Sequence, residues 1–158
     1  MNVSAVVGVD AELLSPVDED RIVSQWREVS AAEKSQLREQ IDEILRPLGY
    51  ETSLVVMRRA NSIALYFICV TLLALTSLRD LWRSGQLRDT VQSLFTFLSG
   101  TNVSVKRLTW PVAEYERSLQ FFSSGKGKPT IYSHELFVHF FTTTVSCVKL
   151  FSLEQLTY

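Results

Sequence analysis

Between Ala60 and Leu78 the chain runs for 19 residues, ANSIALYFICVTLLALTSL, without a charged side chain. Arginines close both ends: Arg58 and Arg59 before it, Arg79 and Arg83 after it. A helix of about 20 mainly apolar residues is what crosses the hydrocarbon of a bilayer. The stretch carries no polar stripe at the 3.6-residue period of a surface helix. Ile63, Leu65, Phe67, Ile68, Val70, Leu72, Leu73, Leu75 and Leu78 each favour insertion by about 0.3–0.6 kcal/mol, together roughly 3–5 kcal/mol. The pattern predicts a transmembrane helix with its flanks over 54–83. The alternative is a soluble helical bundle in which 60–78 is the buried central helix.

Upstream, 1–14 shows no clear period and reads as a flexible N-terminus. Ser15-Pro16 followed by acidic residues then marks a helix start, since these residues satisfy and complement the free amides there. Ile22, Trp26 and Val29 form one apolar face, and Ser30-Ala31-Ala32-Glu33 reads as a capping box that opens a second helix. Leu37, Ile41, Ile44, Leu45 and Leu48 continue at helical spacing until Pro47 and Gly49 end the pattern. The region 15–50 thus reads as a helical interaction region of two short helices, arranged as a hairpin or as one bent rod. Two short helices bury little area by themselves, so Trp26, Leu37, Ile41 and Ile44 are the candidate contacts for an unknown protein partner or for self-association.

Downstream, Leu87, Val91, Leu94, Phe95 and Leu98 predict an amphipathic helix that stops at Ser99-Gly100. With the juxtamembrane residues that follow, it fills 86–122. The segment 123–158 opens with the linker-like SSGKGKP and continues as a poorly defined apolar tail. The fold class expected is mainly α: a single-pass transmembrane helix with an N-terminal helical hairpin and a C-terminal amphipathic helix.

Composition narrows the chemistry. The chain has 158 residues and a net charge of −1, so no basic field attracts nucleic acid. Cys69 and Cys147 provide no disulfide framework and read as buried thiols. Asp10 and Glu12 interrupt the apolar N-terminus, which therefore lacks the form of a cleavable signal peptide. His134 and His139 stand five apart, about 500° around a helix, so they cannot share a metal as an i, i+4 pair does. Gly125-Lys126-Gly127-Lys128 lacks the phosphate-loop spacing. No nucleophile stands with a base and an orienting acid, and no cofactor site is expected. Of two glycosylation triplets, at Asn2 and Asn102, Asn102 lies far enough past the span to be modified. The 60–78 segment has no side chain that titrates near neutrality, which weighs against a solute pathway. The resulting expectation is a non-enzymatic glycoprotein of the endoplasmic reticulum or another endomembrane. It would sit in the lipid bilayer as an adaptor, subunit or regulator of a membrane-bound assembly.

Overall fold

A computed structural model of the chain describes residues 4–15, 19–31 and 36–123. Four strands, β1 (Ala5–Leu13), β2 (Thr52–Arg59), β3 (Ile63–Cys69) and β4 (Val105–Thr109), form one sheet in the order β2-β3-β1-β4, with every neighbouring pair antiparallel. Five helices accompany it: α1 (Glu19–Ala31), α2 (Gln36–Ile44), α3 (Leu72–Ser84), α4 (Gln86–Ser99) and α5 (Val112–Ser123), with a single 3-10 turn at Arg46–Leu48 among the described residues.

The uncharged stretch is two elements, not one. Ile63–Cys69, IALYFIC, is rich in β-branched and aromatic residues and pairs with β1 on one side and β2 on the other. A central strand covered on both faces reads as a continuous apolar run, which hydropathy alone does not separate from a buried helix. Thr71 then ends the extended backbone and caps α3, its hydroxyl accepting from the Ala74 amide at 3.0 Å. The transmembrane reading is therefore overturned. No helix among the described residues is long and apolar enough to cross a membrane. Ile63, Leu65, Phe67 and Ile68 are strand residues, Val70 lies in the link to α3, and Leu72, Leu73 and Leu75 open that helix. The mainly-α fold class and the endomembrane location rested on the span and fall with it.

The N-terminus is corrected too. Ala5–Leu13 is an interior strand of the sheet, not a flexible leader. Its alternation has a physical meaning that its acids obscured. Val7, Val9, Ala11 and Leu13 enter the main core, while Val6, Gly8, Asp10 and Glu12 alternate with them toward the other face. Against the first face pack Ile22, Val23 and Trp26 of α1, Ile41 of α2, Leu75 and Leu78 of α3, and Leu94 and Phe95 of α4. Helices α1 and α4 form on the periodic apolar faces of Ile22, Trp26 and Val29 and of Leu87 to Leu98, whereas α2 stops at Ile44 and Leu48 falls in the 3-10 turn. Gly100 closes α4 at φ +79°, a left-handed geometry that glycine adopts without strain. The residues after α4 form β4 and α5 rather than a membrane-surface segment. Ser30 and Ala31 fall within α1, while the rest of the proposed capping box, Pro16, and the tail 124–158 with His134, His139 and Cys147 lie outside the described residues.

Helix α1 is tied to the sheet by an ion pair at the end of β2. Arg59 Nη1 lies 2.9 Å from Glu19 Oε1 and 3.3 Å from Asp20 Oδ1. The Glu19 side chain is only 4% exposed, so the arginine neutralises a carboxylate that would otherwise be buried without a counter-ion.

Candidate functional site

The sheet has an open edge at β2, whose one strand neighbour among the described residues is β3. Hydrogen-bond alternation fixes which backbone groups face outward there. The Val70 amide donates to the Glu51 carbonyl at 3.0 Å, so residues 51 and 70 form a hydrogen-bonded pair. In an antiparallel ladder the next pair along is of the other kind. Thr52↔Cys69 and Leu54↔Phe67 are thus non-hydrogen-bonded pairs, and Ser53↔Ile68 between them is bonded. The amides and carbonyls of Thr52 and Leu54 therefore point away from β3, toward the free edge. A register shift between Leu54 and Val56 then ends the straight section, as bulges at sheet edges commonly do.

Beside this edge is a groove of about 560 Å³ between β2 and the α2–3-10 segment. Trp26, Ile41, Leu48 and Leu54 give it an apolar floor, and all four are buried. Tyr50 at its mouth is fully exposed. Gly49, at φ +87°, makes the reversal that leads from the 3-10 turn to Tyr50. The rim carries Arg38 and Arg46 against Glu39, Asp42 and Glu43. Two exposed pairs, Arg38–Asp42 at 3.6 Å and Arg46–Glu43 at 2.7 Å, order the rim. Such pairs contribute about 0.2–0.5 kcal/mol each to a helix, so they shape the groove's charge more than its stability.

Of the four residues expected to contact a partner, the structure brings Trp26 and Ile41 together under the groove, 5% and 1% exposed. Ile44 is half-buried against the core, and Leu37 is exposed on α2 outside the groove lining. Asn102 is exposed in the link between α4 and β4. Sequence reasoning missed Tyr50 and the strand beside it. The signal was the extended, β-branched character of TSLVV after a Gly-Tyr turn, which the span reading absorbed.

A second polar constellation lies on the opposite face. Strand β4 pairs with β1 only from Asp10 to Leu13. The Gly8 amide instead donates to Glu114 Oε1 of α5 at 2.6 Å. A Cβ at Gly8 would stand 3.0 Å from that oxygen and 3.1 Å from the Tyr66 ring, so a larger residue would press on both side chains. Burial raises the Glu114 pKa above its usual 4.5, with Asp10 adding to the rise and the Gly8 amide and Arg117 opposing it. The folded protein therefore holds this proton to higher pH than the unfolded one does. Stability from this group is full below the ordinary carboxylate range and declines as pH rises through the folded pKa. Glu114→Gln keeps an oxygen acceptor for Gly8 and removes the ionisation. Urea titrations at a series of pH values are expected to show the wild type losing stability relative to this variant across that window. Parallel pH profiles would contradict the assignment.

The Cys69 thiol is shielded, as the sequence suggested. Cys69 is buried, and burial pushes its pKa up to about 11, against a lowering by the Thr52 hydroxyl 3.9 Å away. Its thiolate, the reactive form, is thereby suppressed.

A third cluster centres on Arg79, which the sequence presented as a flanking charge. It is 6% exposed and ringed by Trp82, Trp110 and Tyr115, with Cζ 4.5, 5.0 and 4.4 Å from their ring centroids. Trp110 meets Trp82 and Tyr115 edge-to-face, at centroid distances of 6.2 and 5.5 Å. These contacts join α3, the end of β4 and the start of α5. Comparison with protein-family models, with curated proteins and with solved structures gives no match to this sequence.

Proposed function

We propose that the protein is a non-enzymatic interaction module that captures an extended segment of a partner along the open edge of β2. The observation that carries this reading is the pairing of two features at one place. The outward backbone groups of Thr52 and Leu54 border a groove floored by Trp26, Ile41 and Leu48. A peptide added there as a fifth strand gains main-chain hydrogen bonds from the edge. Its alternate side chains enter the groove, which is how strand addition obtains affinity and specificity separately. The floor favours an apolar residue at every second position. The rim, with three acids to two arginines, favours a basic residue between them. Exposed Tyr50 is the kind of rigid aromatic anchor enriched at such contacts. The chemistry-bearing groups are consistent with a binding role: Glu114 is occupied by a backbone amide and Cys69 is shielded.

The test is a peptide-library selection against the full-length protein, followed by amide hydrogen exchange with an enriched peptide bound. The reading expects the Thr52 and Leu54 amides to become protected, while Ser53, already paired with β3, changes little. Tyr50→Ala is expected to weaken the peptide about tenfold without altering the unfolding midpoint, since truncating an aromatic anchor that a bound peptide would cover costs roughly 1–2 kcal/mol. Enriched peptides that bind without protecting those two amides would refute the reading. Protection that grows with protein concentration in the absence of peptide would assign the edge to a second copy of the protein.

A further inference from the structure

Arg79 is a buried cation with no acceptor among the described residues. Its Nε and Nη1 are both buried and have no hydrogen-bond partner there, and the indole Nε1 of Trp110 beside it is in the same condition. The contrast with Trp82 is informative: that indole donates to the Leu108 carbonyl at 3.0 Å. In a guanidinium, Nε shares one donor edge with Nη2, and Nη1 shares the other. Each edge of Arg79 therefore holds a donor that no described group receives. Burial first, and then the positive charge of Arg83 one turn further along α3, push Arg79 below its ordinary pKa. Tyr115 acts in the opposite direction and offsets part of the lowering, and Arg83 is itself exposed.

Aromatic faces relieve part of this desolvation, but they do not replace an acceptor in the plane of the guanidinium, where its N–H groups point. A planar monoanion does. It matches the donor edges of arginine and brings the buried charge to zero. A phosphate dianion would leave one negative charge uncompensated among the rings. Trp110 is closed off at 2% exposure, whereas Trp82 and Tyr115 are only half-buried and form the more accessible side of the cluster.

We propose that Arg79 and the Trp110 indole N–H form a receptor for a carboxylate, reached between Trp82 and Tyr115. The site is independent of the β2 edge and does not rely on the peptide reading above. An acidic side group and a polypeptide's C-terminus present the same carboxylate, and small probes distinguish them.

The experiment is an NMR titration of the ¹⁵N-labelled full-length protein, read at the indole resonances of Trp26, Trp82 and Trp110. The probes are N-acetylglutamate α-amide, with a side-chain carboxylate, N-acetylglycine, with a terminal one, and doubly blocked phosphoserine. Ionic strength is held constant with sodium chloride. Saturable movement of the Trp110 indole signal with one or both carboxylates, with Trp26 unmoved, is expected. The carboxylate that binds more tightly identifies the source. Arg79→Met, which keeps an apolar filling between the rings, is expected to weaken binding about tenfold or more. Arg79→Lys, which keeps the charge but lacks the planar edges, is expected to weaken it as well. No saturable movement in the wild type overturns the proposal, whatever the folding of the variants. So does equal movement in Arg79→Met, or binding of phosphoserine in place of both carboxylates.

Discussion

Phe67→Ala is expected to destabilise the protein by about 3–5 kcal/mol, the usual cost of removing a fully buried aromatic side chain from a packed core. Phe67 is 1% exposed and sits on β3 directly between Val7 of β1 and Leu54 of β2. All three side chains belong to the core that the helices cover. The loss combines the transfer of the ring from water with the cavity left behind, because strands held by ladders on both sides relax little. A typical domain has about 5–15 kcal/mol of stability in total, so the variant is expected to unfold at markedly lower urea. Equilibrium unfolding followed by fluorescence measures it. Were this residue in lipid on a spanning helix, the same truncation would cost only about 0.3–0.6 kcal/mol of insertion energy. The two accounts thus differ several-fold at one position.

The second large effect separates two residues of a single helix. Ile41→Ala is expected to cost about 2–5 kcal/mol, whereas Leu37→Ala stays within about 0.5 kcal/mol of wild type. Ile41 is 1% exposed, while Leu37 is 48% exposed. Both stand on α2, one turn apart, so helix propensity and backbone entropy are nearly the same for the pair and burial alone makes the difference. Urea unfolding of the two variants side by side measures it. The comparison also governs how the groove is tested. Disrupting Ile41 or Trp26 removes core as well as groove floor, and lost binding then reports unfolding. Tyr50 escapes that ambiguity because its side chain is fully exposed.

The helical periodicity of Ile22, Trp26 and Val29, and that of Leu87, Val91, Leu94, Phe95 and Leu98, was legible because a surface helix has one dry face and one wet face. All of those positions are core. The failure lay in the elements with no wet face. Strand β3 is buried on both sides, so it loses the period of two that marks a strand. The uncharged first half of α3 follows it with only Val70 and Thr71 between. Seven strand residues and the opening of a 13-residue helix thereby summed to the length of a membrane span. Thr71 was the available boundary signal, a capping residue at the junction, but on hydropathy alone it weighs no more than a polar residue tolerated in lipid. Strand β1 was lost for a related reason: Gly8, Asp10 and Glu12 alternate with core residues toward the second face, and their polarity resembles that of an unstructured leader.

The functional features were less legible than the fold. An open sheet edge is a property of strand order, which here places β2 outermost although it is second in sequence. The aromatic ring around Arg79 joins residues from α3, the β4–α5 junction and α5. Within the sequence only the Arg79–Trp82 spacing hints at it, since residues three apart on a helix share a face.

Everything proposed for the edge depends on the pairing of Leu54 with Phe67. The cross-strand Hα–Hα nuclear Overhauser effect between these residues tests it most directly, because the two Cα atoms of a non-hydrogen-bonded antiparallel pair approach to about 4.5 Å. A strong effect is expected there and between Thr52 and Cys69, with none between Ser53 and Ile68. Continuous helical amide–amide effects from Ile63 to Cys69, with those Hα contacts missing, would contradict the sheet, its open edge and the function drawn from it.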